Sequence, residues 1–569
     1  MSVPGEQPAK NWWAEGDTPV RHDSRVNYFV DGRSVMLTMC LHFLKARTYI
    51  YLAHWGFTPM MEIVRGKDQR AGADGSPEQQ ALLAELRAAG LEEADIDFWC
   101  THTLSLQAVL GHAVSKGVDV KVLLWDCLGL PGLSYYKPRE AHEQLTRVGV
   151  TCLLDDSARG IVHHPVESLH QKIGIVDGTH AFVGGVDPVI ELGGHFDHWD
   201  TSAHLFSSPL RSNSEDPHPY PWHDAHAHIE GPAAGDVEYN FRQRWNDLVQ
   251  RHSWDNALLL TEHPPAPPLE SKSVVQIART IPEHTYNFQP LIVRGIAQLY
   301  AHALGNAQQF VYLENQYFWL HSYIGIDIPF LGADNPEMER NIRELGAALR
   351  RGAAVGIVLP DHPDPGRGYS EHTLNRLREE APEAVKERRL VAFCLGTCAS
   401  KEDGEHYRPI YVHAKVAIVD DVWSTVGSAN LNNRGMRDDT EMNVAVLDRE
   451  LAHSLRILLW SEHLGLLNDD DLLVLLRHLA HQQQGRPGNT QAEQLWHYLQ
   501  ETLADPLPGL RMMYDRAEDN LRRYKARQPL IGHLLPYLSA QDAAQQGLSF
   551  REAGGWIEQV QSNPKQSHT

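Results

Sequence analysis

The chain has 569 residues, 42% of them hydrophobic and 22% charged, a composition normal for a globular protein and long enough for two lobes. Its 51 Lys and Arg stand against 73 Asp and Glu, a formal net charge of -22. A field of that sign repels a phosphate backbone and disfavours broad nucleic-acid binding, while leaving room for a local basic pocket that holds one phosphate.

The N-terminal residues 1–23 hold no apolar stretch of the signal-peptide kind. No run approaches the roughly 18 apolar residues of a membrane-spanning helix. The expectation is therefore a cytoplasmic protein or one peripheral to a membrane, with any export by a route that needs no signal peptide. From residue 48 the pattern becomes regular. An apolar strand over 48–55 is followed by a helix near 104–116, a strand over 118–125, a helix near 139–147 and a strand over 148–154. This half closes on an apolar strand carrying His170, Lys172 and Asp177, which turns into 181–185. The second half repeats the order: strand 310–317, helix 338–351, strand 354–359, helix 372–387, strand 390–393, then a strand carrying His413, Lys415 and Asp420 that turns into 424–427. Apolar strands alternating with helices predict a buried sheet covered on both faces, and the repetition predicts an internal duplication. The Pro-rich stretch 263–268 reads as a stiff linker. The expected units are a first half over 1–262, a linker over 263–272, a second half over 273–467 and a helical extension over 468–569, read as a cap on the second half.

With 33 histidines in the chain, one His-x-Lys means little; the information lies in the pair. In both copies His and Lys are two apart on a strand and so share a face. In both, Asp follows Lys by five positions and a small pair follows that Asp by seven, Gly184-Gly185 and Gly427-Ser428. These residue types suit phosphodiester cleavage, which needs a nucleophile, an acid for the leaving alkoxide and positive charge on the phosphoryl oxygens. Histidine can serve as either of the first two near neutrality. Two lysines can replace metal ions, glycine allows close backbone approach, and Ser428 and Asn430 can add hydrogen bonds. Six cysteines make no disulfide framework, and the lone Cys394/Cys398 pair lacks the other ligands of a structural zinc site. His223, His226 and His228 invite a metal reading; no metal or cofactor is expected from them. Trp12, Trp13, Trp55 and Trp319 could meet a lipid interface, but the 14 tryptophans of so large a chain are expected to be mostly core.

These motifs resemble those of the phospholipase D superfamily, and the resemblance runs from about residue 25 to 465. It includes the segments 27–32, 50–55, 184–187, 199–201, 222–231, 241–246, 275–280, 312–318, 427–432, 439–441 and 459–465, and is closest to the branch shared by eukaryotes and some bacteria. It implies an α/β fold of two pseudo-twofold α/β/α halves with one active site between them and a C-terminal helical extension. It implies a covalent phosphohistidine on His170, with His413 as general acid and then base. Lys172, Lys415, Ser428, Asn430 and Gly185 would bind phosphate, and Asp200 and Glu441, each downstream of one motif, would each orient the imidazole of that motif. Asp177 and Asp420 read as structural, as does Asp187, since a carboxylate would repel the phosphate. His223, Asp224, Glu314 and Tyr317 are candidate pocket residues. The implied activity is hydrolysis of a membrane phospholipid to phosphatidic acid and a free head group, with no cofactor, and with water or a primary alcohol as acceptor. Rival readings are a superfamily nuclease, an antibacterial lipase toxin using the same chemistry and, less favoured, a lipid-binding protein without catalysis. No nucleic-acid partner is expected. The sequence leaves open the head group, any protein partner and the oligomeric state.

Overall fold

The continuous apolar runs near residues 50 and 312 form the strands Tyr49–His54 and Phe310–Asn315, buried along their whole length, as expected where a sheet is covered on both faces. Their polar members, among them His54, Glu314 and Asn315, must find partners inside the protein, and they lie near the site described below. The computed structural model describes residues 11–127, 136–158, 167–191, 196–211, 219–320, 336–362, 366–486, 489–551 and 554–558; parts of the N-terminal segment and of the C-terminal extension fall outside them.

Two sheets of matching strand order carry the fold. The first runs Arg25–Val30, Ala225–Glu230, His180–Gly184, Ile173–Val176, Tyr49–His54, Asp119–Trp125, Thr151–Asp155. The second contains, in the same order, Val274–Ile281, Glu441–Leu447, Trp423–Gly427, Lys415–Val419, Phe310–Asn315, Ala354–Val358 and Leu390–Lys401. In each, three parallel strands join an antiparallel hairpin. The match extends to register: Gly184 pairs with His226 as Gly427 pairs with Asn443. The duplication read from the motifs is thus a duplication of the whole α/β unit.

Each sheet has an outer core of its own, and a third core between them draws on both sheets and on the helices Pro232–Arg251 and Arg449–Leu464. The latter helix is bounded by local chemistry. The Asp448 side chain accepts the N–H groups of Glu450 and Leu451, and Gly465 at φ +71° ends it.

Both ends of the chain depart from the expected division. The strand Val20–Arg21 pairs with Val275 and Gln276, and Trp12 stacks on Trp423, so this segment lies on the second half. The extension contributes helices, but also the strand Leu534–Pro536 on the edge of Leu390–Lys401. Its Asp470 pairs with Arg33 and Lys67, and Asp469 accepts the Ala203 N–H at 2.7 Å. It therefore ties the two halves together rather than capping the second alone. The Pro-rich linker is fastened to the first half, where His263 stacks on Tyr49 and reaches Glu238 at 2.7 Å. Among the described residues no helix is long and apolar enough to cross a membrane.

Candidate active site

Each motif strand begins by pairing with the opposite half. The His170 N–H donates to the Thr440 carbonyl at 2.9 Å, and the Thr440 N–H to that of Ser168 at 3.0 Å. In the mirror arrangement Tyr411 and Val412 pair in parallel with Trp222 and His223, and the His413 N–H donates to the His223 carbonyl at 2.8 Å. Thr440 and His223 each precede an acidic residue, so the stitching sets a carboxylate from one half behind an imidazole from the other. His170 Nδ1 lies 2.9 Å from Glu441 Oε1, and His413 Nδ1 lies 2.7 Å from Asp224 Oδ2. With Nδ1–H donated to a carboxylate, Nε2 of a neutral ring keeps its lone pair free.

Period-two alternation brings each lysine to the same face as its histidine. Lys172 Nζ donates to the His170 carbonyl at 2.9 Å, pairs with Asp187 Oδ2 at 2.9 Å and sits 5.5 Å from the centre of the Trp55 ring. Lys415 Nζ donates to the His413 carbonyl and, at 3.1 Å, to Gln316 Oε1, which also receives Asn430 Nδ2 at 3.1 Å. Trp55 stands edge-on to His170 with ring centres 6.0 Å apart.

Burial and crowding of cations set the electrostatics. Burial first, then Lys172 and Lys415, push the His170 imidazole well below its usual range, and burial with Lys415 does the same to His413. Burial, reinforced by Asp439, pushes the Glu441 carboxyl well up. Both shifts oppose an imidazolium–carboxylate ion pair and favour a neutral His170 ring. Burial lowers the Lys415 ammonium to about 7 despite Asp224 nearby. Burial alone would raise Asp187, but Lys172 and His54 bring it down to about 2.

The structure corrects several assignments made from the sequence. Glu441, expected behind His413 of its own motif, holds His170 of the other half, and Asp200, expected behind His170, touches neither imidazole. The Asp200 carboxylate is held by Arg211 at 3.0 Å, His204 at 3.2 Å and the Trp222 N–H at 2.9 Å. Asp224, read only as a pocket candidate, is the carboxylate behind His413. The Ser428 hydroxyl donates to Glu441 and accepts the Met442 N–H, so it steadies the carboxylate instead of facing a phosphate. A Cβ on Gly185 would lie 2.0 Å from Asp224 Oδ1; this glycine makes room for the carboxylate rather than for substrate. His223 and Glu314 are fully buried and bound to each other at 2.8 Å, in a cage with Asp31, Glu462, His204 and His463. Neither side chain lines a pocket. Asp31, at φ +62°, latches the segment: its N–H donates to the Asp224 carbonyl at 2.9 Å and its Oδ1 meets His223. Tyr317 is half-buried against Trp319, 4.3 Å between ring centres.

The motif aspartates hold backbone. Asp177 accepts the N–H groups of Arg47, Thr48 and Tyr49, and Asp420 those of Gln308, Gln309 and Phe310, each fixing the start of the neighbouring strand. Asp187 accepts from His54 at 3.1 Å as well as pairing with Lys172. His223, His226 and His228 do not converge on one point: His223 is in the cage, and His226 is buried with neither ring nitrogen paired. Gln316 and the latch of Asp31 escaped the sequence reading, and Trp55 was read there only as a core or lipid-facing residue, not as a neighbour of His170 and Lys172. The signal for Asp224 was present, since it directly precedes the strand Ala225–Glu230 and its following helix, much as Glu441 begins the strand Glu441–Leu447 before a helix.

The chain is similar to known proteins along most of its length. The family description "Phospholipase D" matches residues 100–335 and "Cardiolipin synthase, PLD-like domain" matches residues 300–460. Phospholipase D alpha 1 of Cynara cardunculus is 26% identical over 82% of this chain and 68% of that protein. Phospholipase D alpha 1 of Oryza sativa subsp. japonica is 28% identical over 72% of this chain and 64% of its own length. The chain thus spans about two thirds of these relatives. A solved structure, the phosphatidylserine synthase of Haemophilus influenzae Rd KW20, is 14% identical with a TM-score of 0.43, covering 76% of this chain and 84% of that one. With both family descriptions matched in tandem across the duplicated motifs, the chain belongs to the phospholipase D superfamily.

Proposed function

We propose that the protein is a phospholipase D that cleaves the head-group side of a glycerophospholipid phosphodiester through a phosphohistidine. The observation that carries this reading is the crossed arrangement in which Glu441 fixes His170 and Asp224 fixes His413, with a lysine beside each ring. The relatives named phospholipase D alpha support the substrate class.

His170 Nε2 attacks phosphorus, and the bond from phosphorus to the head-group oxygen breaks as His413 gives that oxygen its proton. Water then enters; His413 takes its proton, the new P–O bond forms, the P–N bond breaks, and phosphatidic acid leaves with His170 restored. A primary alcohol in place of water gives a phosphatidyl alcohol by the same bond changes. Lys172, Lys415 and the Asn430 amide bind the phosphoryl oxygens, where fixed donors in a dry site are worth most. The bound phosphodiester anion offsets the repulsion among these cations and raises His413 toward its protonated, acid form.

The test is release of head group from phosphatidylcholine or phosphatidylethanolamine vesicles in chelator, with and without ethanol. The native chain is expected to release choline or ethanolamine and, with ethanol, to form phosphatidylethanol; His170→Ala is expected to do neither. No release by the native chain, or release that survives His170→Ala, overturns the mechanism.

A further inference from the structure

We propose that His42, His180 and His228 form a binding site for one divalent cation of the Zn2+ class on the outer face of the first sheet, apart from the catalytic histidines. The three side chains come from three regular elements: the last turn of the helix Asp31–Lys45, the first residue of the strand His180–Gly184 and the strand Ala225–Glu230. Pairing of His180 with Glu230 and of Phe182 with His228 puts residues 180, 182, 228 and 230 on one face of the sheet. The helix lays His42 over that face.

The geometry is that of an imidazole triad. Ligand nitrogens from all three lie within 4.8 Å of one another, and ring centres are 4.5, 4.7 and 5.2 Å apart. His180 Nδ1 and His228 Nε2 are 3.1 Å apart. Four-coordinate Zn2+ with bonds of about 2.0–2.1 Å needs a ligand edge of about 3.3–3.4 Å, so two of the three ligands already stand near that separation. His42 and His180 are partly exposed, which leaves the fourth position to water. Phe182 stacks on His228 and meets His42 edge-on, a dry floor beneath the nitrogens. Behind the third ligand, His228 Nδ1 faces Glu230 Oε1 at 3.9 Å, the place where metal-bound histidines commonly find a carboxylate.

Charge points the same way. Burial and mutual repulsion lower His42, burial and Lys45 bring His180 to about 4, and burial with His180 lowers His228. Each shift works against a proton on the ring nitrogens, where it would compete with a metal. The nearby Lys45 ammonium is occupied by the Ala89 carbonyl at 3.1 Å. The other histidine cluster, around His204 and His223, differs in kind. There the carboxylates overcome burial and push His204 up to about 10 and His223 well above its usual range, which favours protons over a metal on those rings.

The test uses the full chain stripped with chelator and titrated with Co2+, then Zn2+. Expected are one equivalent of Co2+ with the intense visible absorption of four-coordinate cobalt, its displacement by Zn2+, and a rise in thermal midpoint with Zn2+. His42→Ala and His180→Ala, both at partly exposed positions, are expected to lose the absorption and the thermal shift while keeping native circular dichroism. Phospholipid hydrolysis by these variants is expected to match the native chain, so the result is independent of the catalytic reading. Absence of tight uptake by the native chain, or uptake and absorption unchanged in both variants, overturns the proposal. If one variant fails to fold, the other decides.

Discussion

Replacing Asp224 by Asn tests the crossed arrangement directly. Asp224 Oδ2 receives His413 Nδ1–H at 2.7 Å, and its Oδ1 takes the Ala225 N–H at 2.8 Å, all inside the protein. Asparagine keeps the shape and the Ala225 contact but turns an N–H toward Nδ1. A protonated His413, which needs an acceptor at Nδ1, is then disfavoured, and the acid step suffers. Loss of the charge-assisted hydrogen bond alone is worth about 1.5–3 kcal/mol, or about tenfold to 150-fold in rate. The imposed tautomer moves the loss toward the ~10,000-fold known for the same carboxylate-to-amide change behind a catalytic histidine in serine proteases. The expected fall in kcat is thus between about a hundredfold and ten-thousandfold. Asp200→Asn is the control. It leaves His413 untouched but strips the charge facing buried Arg211, so it is expected to cost about 3–5 kcal/mol of stability with near-native kcat per folded molecule. Head-group release from phosphatidylcholine vesicles, normalised to the folded fraction, reads both. Native kcat in Asp224→Asn, or a catalytic loss in Asp200→Asn as large as in Asp224→Asn with an unchanged thermal midpoint, refutes the assignment.

Glu441→Gln is expected to slow formation of the phosphohistidine itself, seen as a slower burst of phosphate-labelled protein trapped by rapid denaturation at neutral to alkaline pH, where the P–N bond survives; an unchanged burst rate contradicts a role for Glu441 behind the nucleophile. The pH profile of kcat/KM is expected to peak on the acid side of 6.5, because both imidazoles lie below their usual range in the free enzyme. It should steepen above about 7 as Lys415 loses its proton, and Lys415→Arg should remove that extra slope; a plateau reaching well above neutrality would contradict both statements. Asp177→Ala is expected to lower stability by about 2–3 kcal/mol with kcat unchanged, read from urea midpoints and vesicle assays. Burial opposes the charge on Asp177, but its hydrogen bonds bring the carboxyl below 3.8. Its contribution is therefore present above the unfolded value and lost as pH falls through the folded one, so the variant's penalty should vanish in acid.

The family resemblance implied Asp200, and the distances along the chain show why that match misled. Glu441 follows His413 by 28 residues and Asp200 follows His170 by 30, whereas Asp224 follows it by 54. The register of the sheets makes Asp224 the counterpart of Glu441, each two residues before the partner of the first hairpin glycine. The first half carries a longer connection between hairpin and strand, and spacing along the chain cannot discount it. Ser428 and Gly185 were misread for a related reason. Small residues beside a phosphate motif suggest contact with phosphate, but both adjoin the carboxylates, one by donating its hydroxyl and one by leaving space.

The sequence by itself determined the duplicated unit, the strands and the shared face of each His–Lys pair, because these follow from local periodicity and from a repeat that can be aligned. The α/β class follows from the same alternation of apolar strands and helices. Only the tertiary structure decided that each imidazole is held by the opposite half, that Asp31 latches the Asp224 segment, and that His42 meets His180 and His228. Those contacts join residues far apart in the chain, and their geometry is set by how two sheets and their covering helices pack, which no local pattern records.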